Sequence, residues 1–209
     1  MSNEEFNITA RLSLGVNQYP DNHYYCMECG PLTDVAGHHS TYCNRNKSTI
    51  QRHEEIRNLL YNIAKQGCLR VEKEETDIFG NKKRPGDISI DNMEGGRKVL
   101  YDVGITCPTK IGTLKQSAVE SGYAAELFGK QKKDRVKEEM EKTNHVYQPL
   151  IVETFGNWLK ESVVSINKII FYYAERKKIE LTKAKNIVWT ELSVLLQKNN
   201  AYAIQLRIP

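Results

Sequence analysis

RPGDISIDNMEGGRKVLYDVGI, residues 84–105, is the stretch on which the fold turns. Two short β-like runs flank a Gly95-Gly96 turn, and each holds one carboxylate, Asp87 and Asp102. Fourteen residues lie between the two aspartates, enough for a hairpin that returns the second beside the first. Two carboxylates side by side at a sheet edge repel each other unless a cation lies between them, and Mg²⁺ or Mn²⁺ is the expected one. Asp102 lies in Val99–Ile105, a run apolar enough to be buried on both faces. A carboxylate there without a partner would be costly, so a metal ligand is the economical assignment against an exposed hairpin aspartate.

Outward from the hairpin the pattern alternates between helix and strand. Residues 2–14 predict a helix with a Ser2/Glu5 capping box and an apolar row Phe6, Ala10, Leu14. From Arg52 the spacing of Ile56, Leu59, Leu60 and Ile63 predicts a helix that Gly67 stops. Cys68–Glu72 reads as a strand. Residues 114–143 read as helical despite Gly122 and Gly129, and 147–154 as a strand with Pro149 near its start, hence near an edge. Residues 157–176 and 181–199 are two amphipathic helices, with Trp158 and Trp189 on their apolar faces. The order predicts an α/β fold, a small mixed sheet flanked by helices.

At 209 residues the chain suits one sizeable domain, or a small module plus one domain, divided here as 1–50 and 51–209. A charged fraction of 27% and an apolar fraction of 40% are those of a globular protein. Apolar runs are short, so no membrane span is expected, and the acidic, non-apolar beginning does not read as a secretory signal. The net charge is only +4, but basic residues cluster at 81–84, 130–137 and 176–178. A polyanion partner suits such clusters, as do ordinary solvated faces.

Residues 17–50 are polar, rich in turn formers, and contain three of the five cysteines and three of the five histidines. Such a stretch needs a staple other than a hydrophobic core. Cys26-x₂-Cys29, then His38 or His39, then Cys43 has the composition of a tetrahedral, closed, structural Zn²⁺ site. Either histidine fits, and His23 is a rival. Cys68 and Cys107 read as small buried hydrophobes. The knuckle would serve as a nucleic-acid or docking handle, or as a clasp for the N-terminal segment.

Metal-assisted phosphodiester hydrolysis commonly places an acid on one strand and acid-x-Lys on the next, the lysine meeting charge at the phosphate. Here Asp102 is followed by Val103 and Gly104, so that lysine is missing. Arg84-Pro85-x-Asp87, the turn, and Asp102-Val103-x-Ile105-Thr106-x-Pro108 resemble the PD-(D/E)XK restriction-like endonuclease domain of site-specific non-LTR retrotransposons (LINE elements). The resemblance extends to Arg11–Gly15, Gly37–Cys43, Arg52-His53, YQPLIVETFG at 147–156, Leu192-Ser193-Val194 and Asn200-Ala201. It implies a restriction-endonuclease-like core behind a CCHC zinc knuckle, and a Mg²⁺- or Mn²⁺-dependent DNA endonuclease. In that family a lysine pair on the helix after the second acidic strand does the missing work. Lys130 and Lys133 match its Lys-x-x-Lys spacing, three apart on one helix face, with Lys110 and Lys115 as rivals. The extra Gly86, and Asp134 where the family has tyrosine, depart from the pattern.

The resemblance also implies nicking of chromosomal DNA, in the nucleus, for target-primed reverse transcription, with element RNA and a reverse transcriptase region as partners if the chain belongs to a polyprotein. Arg84 is a candidate for phosphate contact or an ordinary surface charge, and Arg52, at a helix start whose amides attract phosphate, a candidate for nucleic-acid contact or for a cap or a contact to the zinc module. Glu55 and Glu72 are candidate third carboxylates, or plain solvated residues. The competing expectation, motivated by the missing lysine, is a zinc-stabilised nucleic-acid-binding or protein-interaction module with an inactive core.

Overall fold

The computed structural model describes residues 1–19, 25–26, 29–30, 34–43, 45, 47–76, 78–79 and 84–207. His23 and the basic residues Lys82 and Lys83 lie outside them. The element order is α1 (Asn3–Ser13), α2 (His38–Tyr42), α3 (Lys47–Gln66), β1 (Val71–Lys73), β2 (Ile88–Glu94), β3 (Arg97–Thr106), α4 (Leu114–Ser117), α5 (Tyr123–Met140), β4 (Val146–Glu153), α6 (Lys160–Lys177) and α7 (Leu181–Gln205). No helix among the described residues is long and apolar enough to cross a membrane.

The sheet is mixed and runs in order β1-β2-β3-β4. The first three strands are antiparallel neighbours, and β4 joins β3 in parallel after the α4–α5 crossover. Pro149 is thus on an edge strand, where a missing N–H is tolerated. Alternation sorts the side chains of β3. Val99, Tyr101 and Val103 face α3, α6 and α7 in the main core, with Ile56, Leu60, Ile166 and Leu192 among their neighbours. Leu100, Asp102 and Gly104 face the other way, toward α5. Two glycines let α5 lie close to that face. A Cβ on Gly104 would come within 2.9 Å of Ile151, Phe128 and Lys132 atoms, and one on Gly129 would come 2.9 Å from Leu159.

Several local expectations change. The 114–143 segment is two helices, because Gly122 adopts a left-handed φ of 88° and restarts the chain as α5. Glu153 at the end of β4 accepts from the Ala125 N–H, supplying the cap that α5 lacks locally. The α1 capping box is present, but the buried row is Ile8 and Leu12. Phe6 and Leu14 are 63% and 77% exposed, because α7 receives the opposite stripe through Ala201 and Ile204. Cys68 is exposed in a left-handed turn rather than buried in a strand, whereas Cys107 is fully buried. The 1–50/51–209 division falls inside α3, and α1 and α2 both pack on α7, so the N-terminal segment shares the main body's packing.

Gly67 ends α3 for a tertiary reason. A Cβ there would lie 2.9 Å from the Tyr173 backbone nitrogen of α6, and backbone cannot swing aside. Gly67→Ala should therefore cost about 1–3 kcal/mol in urea-denaturation stability; an unchanged midpoint would disprove the tight crossing.

Candidate functional site

The last residue of β3 paired with β2 is Tyr101, opposite Ile88. Beyond it the β2 side of β3 is open. The Asp87 N–H donates to the Tyr101 carbonyl at 2.8 Å, and its carboxylate Oδ2 then accepts the Val103 N–H at 2.7 Å. Gly86 makes this approach possible, since a Cβ there would sit 2.9 Å from the Tyr101 oxygen. The same Oδ2 meets His53 Nε2 of α3 at 3.0 Å. Burial pushes the Asp87 carboxyl up, but the His53 hydrogen bond and charge, the Val103 N–H and the Lys132 charge together hold it below the usual range.

Asp102, only 8% exposed, is on the α5 face. Its Oδ2 accepts Lys132 Nζ at 2.7 Å and the Tyr147 hydroxyl, with Arg135 at 3.6 Å. Lys132 also donates to the Val103 carbonyl at 3.3 Å. Burial, then the Asp102 charge, raise the Tyr147 hydroxyl far above its ordinary range, so it stays a donor. Asp87 and Asp102 thus both connect to residue Val103, Asp87 at its N–H and Asp102 through Lys132, which donates to its carbonyl. In both, every hydrogen bond and ion pair falls on Oδ2; Oδ1 has no partner among the described residues.

The lysine differs from the expected pair. Lys130 is exposed and Lys133 pairs with Glu161, while Lys132 turns inward. The aliphatic chain of Lys132 passes where a side chain on residue 104 would begin, its Cε 2.9 Å from that Cβ position. A lysine of α5 thus occupies the space that a side chain at position 104 would take. A glycine two residues after the strand aspartate was the signal that could have found it. Lys115 is exposed on α4. Glu55 bonds to Asn199 and Gln51, and Glu72 is exposed, so neither joins the aspartates. His53, Tyr147 and Arg135 were not anticipated.

Both candidate nucleic-acid residues sit differently from expectation. Arg84 is more than half exposed and paired with Glu74 at 2.7 Å. α3 begins at Lys47, so Arg52 is in its second turn, not at its start, and it is buried. Its guanidinium donates to the Thr41 carbonyl at 2.7 Å and to Asn200 Oδ1.

A second group lies at the N-terminal end. Ligand atoms of Cys26, Cys29, His39 and Cys43 all lie within 4.8 Å of one another. This Cys₃His group could hold a structural metal such as Zn²⁺, and soft thiolates with one imidazole suit it. Burial and then the adjacent Cys26 and Cys43 thiols push the Cys29 thiol up to about 12, a crowding that a bound cation would relieve. His39 faces the cysteines, with Cys29 Sγ 3.2 Å from its Nε2. His38 instead pairs with Asp34 at 3.2 Å and stacks edge-on against Phe155. Asp34 accepts the N–H groups of both histidines, so it orients the His39 backbone. Arg207, just past α7, donates to Cys26 Sγ at 3.4 Å. The group is a clasp packed against the body.

No known family model and no curated protein matches the chain.

Two outcomes are expected. A chelator should release stoichiometric zinc, make Cys26, Cys29 and Cys43 reactive to a thiol reagent, and lower the thermal midpoint; retention of the midpoint would deny the cluster a structural role. Gly104→Ala should displace Lys132 and lower stability by about 1–3 kcal/mol, read by denaturant titration.

Proposed function

We propose that this chain is a divalent-metal-dependent DNA endonuclease with a restriction-like core, Asp87 and Asp102 being the metal-holding carboxylates. One observation carries the proposal: two carboxylates connect to Val103, one directly and one through a lysine held by two hydrogen bonds, and each keeps one oxygen without a partner among the described residues. That donor chemistry, hard oxygens and one ammonium, fits Mg²⁺ or Mn²⁺ and a phosphate. The sheet order, with one aspartate opening β2 and the other inside β3, agrees with the family resemblance in the sequence.

The metal, when bound, would polarise the phosphoryl oxygen and lower the pKa of an attacking water. The chain's own residues prepare the rest. Val103 N–H and His53 hold Asp87 ionised and oriented. Tyr147 fixes the Asp102 carboxylate through Oδ2, leaving Oδ1 for the cation. Lys132 Nζ, held between Asp102 and the Val103 carbonyl, supplies fixed positive charge where negative charge develops on the phosphate, and needs no reorganisation to do so. The missing lysine at position 104 motivates the competing inactive module; the placement of Lys132 beside Asp102 supports the active reading. Target DNA nicking in the nucleus, in partnership with element RNA and a reverse transcriptase, extends the proposal on the resemblance alone.

Supercoiled plasmid should be nicked with Mg²⁺ or Mn²⁺ and not with EDTA. Asp102→Asn and Lys132→Met should each lower the nicking rate about 10²–10³-fold while duplex binding persists. Plasmid binding without metal-dependent nicking by the native chain would assign it to the inactive module instead.

A further inference from the structure

A cleft of about 240 Å³ opens beside the free edge of β3, between the N-terminal half of α3 and α5. Tyr42, Thr49, Arg52, His53, Lys110 and Lys132 line it, and none of its lining residues is acidic. Lys132 has Asp102 for a counter-charge. Arg52 and Lys110 have no carboxylate partner among the described residues. Arg52 is 3% exposed, its two acceptors are a neutral amide and a carbonyl, and its Nε has no hydrogen-bond partner. Lys110 Nζ makes neither a hydrogen bond nor an ion pair among the described residues, and it stands 5.5 Å over the Tyr42 ring.

Two buried or half-buried cations without an anion are unfavourable. Burial holds Arg52 down to about 10, and burial followed by the Arg52 charge lowers the Lys110 amine. In both groups burial is the leading cause, and Cys107 offsets part of it. The volume is below the usual range of about 300–1,000 Å³ for a drug-sized ligand, so a phosphodiester fits better than a whole nucleoside.

We propose that this cleft is a second phosphate site, in which Lys110 and Arg52 hold a backbone phosphate of duplex DNA next to the one that Asp87, Asp102 and Lys132 act on. The proposal rests on the nuclease reading for its ligand. The site is built jointly by the metal clasp and the sheet. α2 contributes the Tyr42 ring under Lys110 and the Thr41 carbonyl under Arg52, and His39 stacks on Tyr42 with centroids 5.2 Å apart. A phosphate fixed here would set the register of the strand relative to the aspartates, as backbone contacts do in general.

Arg52 variants would also cut the links to Thr41 and Asn200 and risk unfolding, so Lys110→Gln carries the test. Binding of a short labelled DNA duplex is measured in an Asp102→Asn background with EDTA present, so that cutting does not interfere. Lys110→Gln should weaken binding about tenfold and lower the slope of log K against log salt by about one, with the thermal midpoint unchanged. Lys65→Gln, in the last turn of α3, should leave both unchanged. Equal affinity and equal slope in Lys110→Gln would overturn the proposal, even if the native chain nicks plasmid. Weakened binding by Lys110→Gln with no nicking by the native chain would keep the phosphate site and remove the enzyme.

Discussion

The site depends on one backbone donor. β2 pairs with β3 only as far as Tyr101, so the next N–H on that side, from Val103, would be left without a strand partner. The Asp87 carboxylate takes it. A buried backbone donor must be satisfied, so the hydrogen bond fixes where β2 begins and where the first aspartate stands relative to the second. Because β2 stops there, helices from both faces of the sheet reach the open edge, His53 from α3 and Lys132 from α5. Without the early end of β2 these two side chains would be separated by the sheet.

The second constraint is closeness. Gly104 leaves room on the sheet for Phe128 and Lys132 of α5, Gly129 leaves room for Leu159 against the same helix, and Glu153 anchors the helix start. Lys132 then lies along the sheet in the room left by Gly104. Glycine in a strand and glycine in a helix are each unfavourable locally. Here both are explained by the same tertiary approach, so what looks like a weak helix in the sequence is a closely packed one.

The hairpin, the order of elements along the chain and the cysteine spacing were legible because each follows from a local pattern: alternation, a Gly-Gly turn, a Cys-x₂-Cys pair. The choice of lysine was not legible. Lys130, Lys132 and Lys133 are nearly adjacent, and only the rotation of α5 on the sheet selects among them. The same holds for His38 against His39, which the Asp34 carboxylate decides by tying down the former. The sequence places Arg52 at a helix start, yet α3 begins earlier than the apolar rhythm suggests, because its first turn is polar. The face of α1 was misassigned for a related reason, since two apolar rows were available and only α7 determines which is covered.

The contact between Arg207 and Cys26 joins positions 181 apart in sequence. With Zn²⁺ held by three thiolates and an imidazole, the cluster would bear one net negative charge, and this guanidinium would offset it. On the ribosome the cysteines emerge long before the arginine does. Docking of α1 and α2 must likewise wait for α7. The clasp closes only once synthesis of that helix is complete, and such long-range closure makes folding slow compared with a chain of local contacts.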